Sequence, residues 1–180
     1  EIDNHILNYN NTAYIIPDAI ENWPAHGDTT LGQVFYLAPF IDTDNNGLYD
    51  ASLGDYPDVK GDQSLYIIRN DIGNIHTETQ AEQMGIEQHI MFYGYISPCP
   101  AIHHALFANM KIYNRGNFNL NDFYAGTWLD PDLGFYLDDY VGCNVGENLG
   151  YVYNGDNDDQ GATGYGVNPP AQGLVYLNQS

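Results

Sequence analysis

The chain has 180 residues, of which 43% are hydrophobic; that suits one folded domain of ordinary size and is too apolar for wholesale disorder. Asp and Glu number 24 against four Lys and Arg, a formal net charge of −20. Such a charge repels nucleic-acid phosphates and anionic lipid, and no apolar run reaches the ~18 residues of a membrane span, so nucleic-acid binding and membrane insertion are set aside.

Residues 1–30, with "NYNNTAY" and "ENWPAHGD", read as an extended leading segment draped over a single β-rich domain at 31–180. Glu1 opens without a Met start or signal segment, which predicts a piece of a larger exported chain. The 19 Gly and 9 Pro punctuate short aromatic and β-branched runs, the pattern of an all-β fold with elaborate loops. Strands are predicted near 33–37, 64–69, 89–96, 104–113, 121–129, 149–153 and 173–177. The 89–96 run is apolar on both faces and reads as a central strand. In 104–113, Lys111 marks the face it shares with Phe107, Asn109 and Tyr113 as the wet one. Residues 78–88 are the one candidate for a short helix, interrupted by Gly85. Two packed antiparallel sheets fit this pattern best, an antiparallel β-sandwich or jelly-roll-like fold with long calcium-binding loops.

The first acidic constellation is "DTDNNGLYD" at 42–50. Hard cations such as Ca²⁺ take six to eight oxygens, and a short loop can wrap one by offering donors at alternate positions. Asp42, Asp44 and Asn46 fall at loop positions 1, 3 and 5, and Gly47 at 6, where the chain must turn. The Leu48 carbonyl falls at 7 and Asp50 at 9. Leu53 stands at position 12 in place of a bidentate Glu, so the remaining donor is sought in Asp55 or Asp58 of "GDYPD". Without flanking helices the loop is predicted to lie between strands. A metal-free Asx-rich turn is the competing account.

The second is "DPDLGFYLDDYVGCN", in which Asp130, Asp132, Asp138, Asp139 and Asn144 lie close in sequence at a predicted sheet end. Carboxylates so crowded raise one another's pKa unless a cation intervenes. A metal site, a catalytic carboxylate pair as in a glycosidase, and a solvated acidic loop all remain open. A third stretch, "DNDDQG", puts Asp156, Asp158, Gln160 and Gly161 at loop positions 1, 3, 5 and 6 but lacks later acids. The six histidines are scattered and read as hydrogen-bonded loop or strand residues. Cys99 and Cys143 match no zinc or redox spacing; buried thiols and a disulfide both fit. No nucleophile motif, phosphate loop or dinucleotide fingerprint is present. Sixteen tyrosines suit strand surfaces, and exposed ones can also stack on sugar rings.

The segments "WPAHGD", "LAPFIDTDNNGLYDASLGDYPDVKGDQSLYIIRNDIGNIHTET", "KIYNRG", "WLDPDLGFYLDDYVGCN" and "GYVYNGDNDDQGATGYGVNPPAQG" occur in this order. Over about residues 22–178 the chain resembles a region of large secreted Bacteroidota proteins that end in a type IX secretion sorting domain. It departs from that pattern at "SLYIIRND", where a Trp-rich strand is common, and at "GCN", where Asp is usual after Cys. The resemblance implies export to the cell surface or medium and a chain that continues beyond residue 180.

The expectation is a secreted, calcium-stabilised, non-enzymatic β module with a structural or adhesive role. Its partners would be other segments of the same large surface protein, with glycans or a surface assembly as further candidates. A lectin-like module is the alternative, followed by a glycoside hydrolase using the carboxylates at 130–139.

Overall fold

The structure is a computed structural model that describes residues 1–177. These residues form mainly antiparallel strands with a few short helices, an all-β chain. They divide into two compact units, Glu1–Asn121 and a second that begins at Asp122. The division falls inside the stretch 31–180 that the sequence suggests is one domain, and the last three residues of that stretch lie outside the described ones.

The first unit opens with two short helices, α1 (Ile2–Asn8) and α2 (Asp18–Glu21). The leading segment is therefore partly helical, where the sequence predicts only extended chain. A helix of one or two turns is too short to show periodicity and is marginal alone. Here it is held from outside: the buried His5 donates from Nε2 to the Asp55 carbonyl at 3.0 Å.

Next come a two-stranded ribbon of β1 (Phe40–Ile41) and β2 (Tyr56–Pro57) and a sheet of β3 (Gln63–Asn70), β4 (Ile86–Gly94) and β5 (Phe107–Asn114). The sheet order is β3–β4–β5, antiparallel throughout, so the doubly apolar run is the central strand as expected. A short helix, α3 (Pro100–His103), precedes β5.

The wet face is the reverse of the expected one. Leu65 and Met110, on the face away from Lys111, are 59% and 44% exposed, while Tyr66, His89 and Tyr113 pack together on the Lys111 face. Lys111 itself stays exposed. The Trp23 ring lies against Tyr66 at 5.4 Å, and its Nε1 donates to the Pro39 carbonyl. A polar relay runs beneath: the Tyr66 hydroxyl meets His89 Nδ1 at 2.9 Å, His89 Nε2 meets Glu87 Oε1 at 2.9 Å, and Arg115 donates to the same oxygen at 2.8 Å. Burial pushes the Glu87 carboxyl up, but the hydrogen bonds from Arg115 and His89 outweigh it and hold it below the ordinary 4.5. Burial, with the charges of Tyr113 and Glu87, pushes the Tyr66 phenol up to about 12.

Three predicted elements are absent. Residues 33–37 form a single bridge, His26 to Tyr36, because their rings gather around His26 instead of joining a sheet. Residues 78–85 are not helical. The Asp71 carboxylate takes the Met84 and Ile86 N–H groups at 2.6 and 2.7 Å, and Gly85 adopts φ +73° with Gly116 only 2.7 Å from where a Cβ would stand. Residues 123–130 are irregular, with Tyr124 and Trp128 more than 80% exposed; β-formers without a partner strand gain little from extension.

The second unit holds a sheet of β6 (Asp139–Asn144), β7 (Leu149–Asn154) and β10 (Ala171–Val175), in the order β10–β7–β6. The ribbon β8 (Asp158–Asp159) and β9 (Gly166–Val167) lies between them in sequence. β6 occupies the acidic stretch that the sequence suggests is loop.

The apolar core is thin. In the first unit, Ile20, Ile86, Ile90 and Met91 are buried with three alanines; in the second, Leu133 and Val152. His5, Asp55, His89, Asn154 and Asp159 are buried polar side chains. Cys99 and Cys143 are both free and exposed, which corrects the expectation of buried or bridged sulfurs. No helix among the described residues is long and apolar enough to cross a membrane.

Candidate metal centre

The ribbon builds the site. Ile41 pairs with Tyr56, so the next residues along the same ladder are Asp42 and Asp55. The twelve-residue excursion that separates them in sequence closes on itself there. Asn45 and Gly47 turn the chain at φ 58° and 81°, the left-handed region that Asn and Gly tolerate best. The turn aims backbone N–H groups inward: Gly47 donates to Asp42 Oδ2 at 2.8 Å and Asn46 to Asp44 Oδ1 at 3.1 Å. The Tyr36 hydroxyl braces it from outside by donating to the Gly47 carbonyl.

Asp55 is fully buried and closes the loop. Its Oδ1 accepts from the Thr43 N–H at 2.7 Å and its Oδ2 from the Asp50 N–H at 2.9 Å. Thr43 Oγ1 adds a bond to the Gly54 carbonyl. Asp42, Asp44 and Asp55 each bring one carboxylate oxygen within 4.8 Å of the others, the one convergence of three or more His, Cys, Asp or Glu ligand atoms among the described residues. This cluster could hold a metal ion.

Fit can be judged from charge and size. Three carboxylates converge, and the ion pairs found among the described residues both involve Glu87, not this loop. Oxygens 2.3–2.6 Å from one calcium lie no more than about 5 Å apart, which the observed cluster satisfies. Each oxygen that takes an N–H keeps a second lone pair for an ion. The Gly47 N–H holds the Asp42 carboxyl below its ordinary value; partial burial opposes it and the Asn46 N–H adds to it. The carboxylate is thus kept charged and ready for a cation.

The remaining candidates are placed as follows. The Asn46 side chain bonds Asp44 through Nδ2 and accepts the Leu48 N–H through Oδ1. Leu48 is exposed at the loop's outer edge. Asp50 is outside the carboxylate cluster: its Oδ1 caps the 3-10 turn at 51–53 through the Ser52 N–H and hydroxyl, and it serves Asp55 by its backbone N–H. Asp130 and Asp132 are exposed in irregular chain. Asp138 and Asp139 are half-buried where β6 begins. In the third stretch, Asp156 takes the Asp158 N–H and both are exposed.

The sequence does not reveal His5, His26 or Tyr49 as parts of the site's frame. His26 Nε2 accepts the Tyr49 N–H at 2.8 Å and its ring stacks on Phe35. The Tyr49 hydroxyl donates to the Ile20 carbonyl at 2.5 Å; burial, and then the Asp55 charge, push that phenol well above its ordinary value, so it stays a donor. These contacts span 23 to 50 residues and have no local signature.

No protein-family model matches the chain, and no curated protein or solved structure matches it.

Proposed function

We propose that the chain is a secreted, calcium-stabilised structural or adhesive module of a large cell-surface protein, without catalysis of its own. The convergence of Asp42, Asp44 and Asp55 on one closed loop carries this reading. Oxygen-only donors with lone pairs left free for an ion favour calcium over softer metals and over magnesium, which demands a stricter octahedron. The ion binds the folded loop and scarcely binds the unfolded chain, so it stabilises by linkage, about 2.7 kcal/mol at 100 times the dissociation constant. That is a large fraction of a typical domain stability of about 5–15 kcal/mol, and a thin apolar core makes it matter more. The reading assigns partners among other segments of the same surface protein, and the exposed apolar face of β3–β5 is surface that such a contact would cover. The sandwich expected from sequence belongs to this same proposal, as the form that a second layer on that face would give.

A second reading, a glycan-binding module, is favoured by one observation: Tyr136 and Tyr140 are about 60% exposed beside the acidic start of β6. A Tyr136→Ala variant that kept full glycan affinity would remove it. The hydrolase alternative would need a cleft beside the carboxylates at 130–139; an open cleft of about 620 Å³ along 74–83 is lined by none of them.

The test is a thermal melt in excess chelator, repeated with calcium and with magnesium. The reading predicts a calcium-selective rise of many degrees, lost in Asp42→Ala/Asp44→Ala. An identical melt in all three conditions would refute it.

A further inference from the structure

A group of buried oxygens without donors sits in the second unit, where β6 begins. The register of β6 and β7 sets Asp139 opposite Asn154. The Gly155 N–H donates to the Asp138 carbonyl at 2.8 Å, so 138/155 is a hydrogen-bonded pair. The adjoining pair 139/154 is then the non-hydrogen-bonded kind, whose side chains share a face at closest approach. Asn154 is only 7% exposed. Its Nδ2 donates to the Asp156 carbonyl, while its Oδ1 is buried and accepts nothing. Across the ladder, Asp139 Oδ2 accepts the Leu133 N–H at 2.9 Å, and Oδ1 is buried without a donor. In Asp138, both carboxylate oxygens are buried without a donor.

Asp159 in the same unit is a buried carboxylate with both oxygens satisfied. It is 2% exposed, and each oxygen takes a backbone N–H, from Phe135 at 3.0 Å and Tyr165 at 2.7 Å. Asp138 and Asp139 have no such settlement. A buried acceptor without a donor costs about 1–3 kcal/mol, and more when charged. A side-chain cation cannot come from within the unit: from residue 122 onward the chain has nine Asp and Glu and no Lys, Arg or His. The unmet oxygens that share a face of the ladder are hard donors, a carboxylate and an amide, the kind that calcium takes.

We propose that this end of the β6–β7 ladder is a second hard-cation site of the calcium class, with Asp139 and Asn154 as ligands across the ladder. It shares no residue with the Asp42–Asp55 loop, so the two sites stand or fall separately.

Calorimetric calcium titration of the whole chain tests it. Two equivalents are expected for the wild type, one for Asp42→Asn/Asp44→Asn, one for Asp139→Asn, and none when the substitutions are combined. Asn154→Asp gives a second handle should Asp139→Asn fail to fold. An added carboxylate at a true ion site should tighten that site's calcium binding by about tenfold. If instead no ion is held there, the substitution would leave calcium binding no tighter. An unchanged stoichiometry in folded Asp139→Asn, or an Asn154→Asp chain that binds calcium no more tightly, would overturn the proposal. Loss of one equivalent in Asp139→Asn with none lost in Asp42→Asn/Asp44→Asn would uphold it while refuting the first loop as a calcium site.

Discussion

Replacing Asp55 by Asn should harm the protein in two separable ways. The side chain is fully buried, and its two oxygens accept the Thr43 and Asp50 N–H groups at 2.7 and 2.9 Å. An amide can satisfy only one of these; its NH₂ would face the other N–H, donor against donor. Losing a charge-assisted hydrogen bond and stranding a buried N–H costs about 2 kcal/mol or more with no metal present. For a chain of this size that is a fall in Tm of about 4–8 °C in chelator. In calcium the ion's linkage contribution goes as well, about 2.7 kcal/mol at 100 times the dissociation constant, a further roughly 5–11 °C. Asp42→Asn/Asp44→Asn should behave differently, leaving the chelator melt near wild type and erasing only the calcium increment. Melts followed by tryptophan fluorescence suit the purpose, since Trp23 is seated against Tyr66 and Pro39 in the same unit. The reasoning fails if Asp55→Asn melts like the wild type in chelator, or if it keeps the full calcium increment.

Other outcomes follow from the same geometry. Glu87→Gln should cost about 1.5–3 kcal/mol at pH 7, read by urea denaturation, because Arg115 and His89 lose their charged acceptor. The Glu87 carboxyl is lowered in the fold, so its stabilisation is complete above the ordinary 4.5 and lost as pH falls through the lower folded value. The gap between wild type and Glu87→Gln should therefore close in that acid range. Gly47→Ala should cost about 1–2 kcal/mol through its positive φ and weaken calcium binding, since the Gly47 N–H orients Asp42; a titration with unchanged affinity would contradict this. His5→Ala should free α1 and leave the Asp55 carbonyl without its donor, so amide exchange in 2–8 should approach the unprotected rate while the β3–β5 amides stay protected.

What could be read from the sequence was local. Asp42, Asp44 and Gly47 declare themselves by alternate donors around a residue that must turn; the donor missing at position 12 is narrowed only to Asp55 or Asp58, and the fold brings Asp55. β3, β4, β5, β7 and β10 were legible, within a few residues at their ends, as β-branched and aromatic runs between breakers. The ribbon that joins Asp42 to Asp55 has two residues per strand, too few to show any period. β6 was hidden because half of "DYVGCN" is polar, and its strand character comes from the β7 ladder beside it. The frame around the loop was illegible for the same reason: His5 reaches Asp55, and His26 reaches Tyr49, across long stretches of chain. Asn154 became a candidate ligand only when the register placed it opposite Asp139.

The central claim is an ion held by Asp42, Asp44 and Asp55, and a crystal grown in calcium tests it most directly by anomalous scattering. The account predicts a calcium peak with oxygens of all three carboxylates at about 2.3–2.6 Å. A loop with the same backbone and no peak, its carboxylates bonded only to N–H groups and water at hydrogen-bond distances, would contradict it.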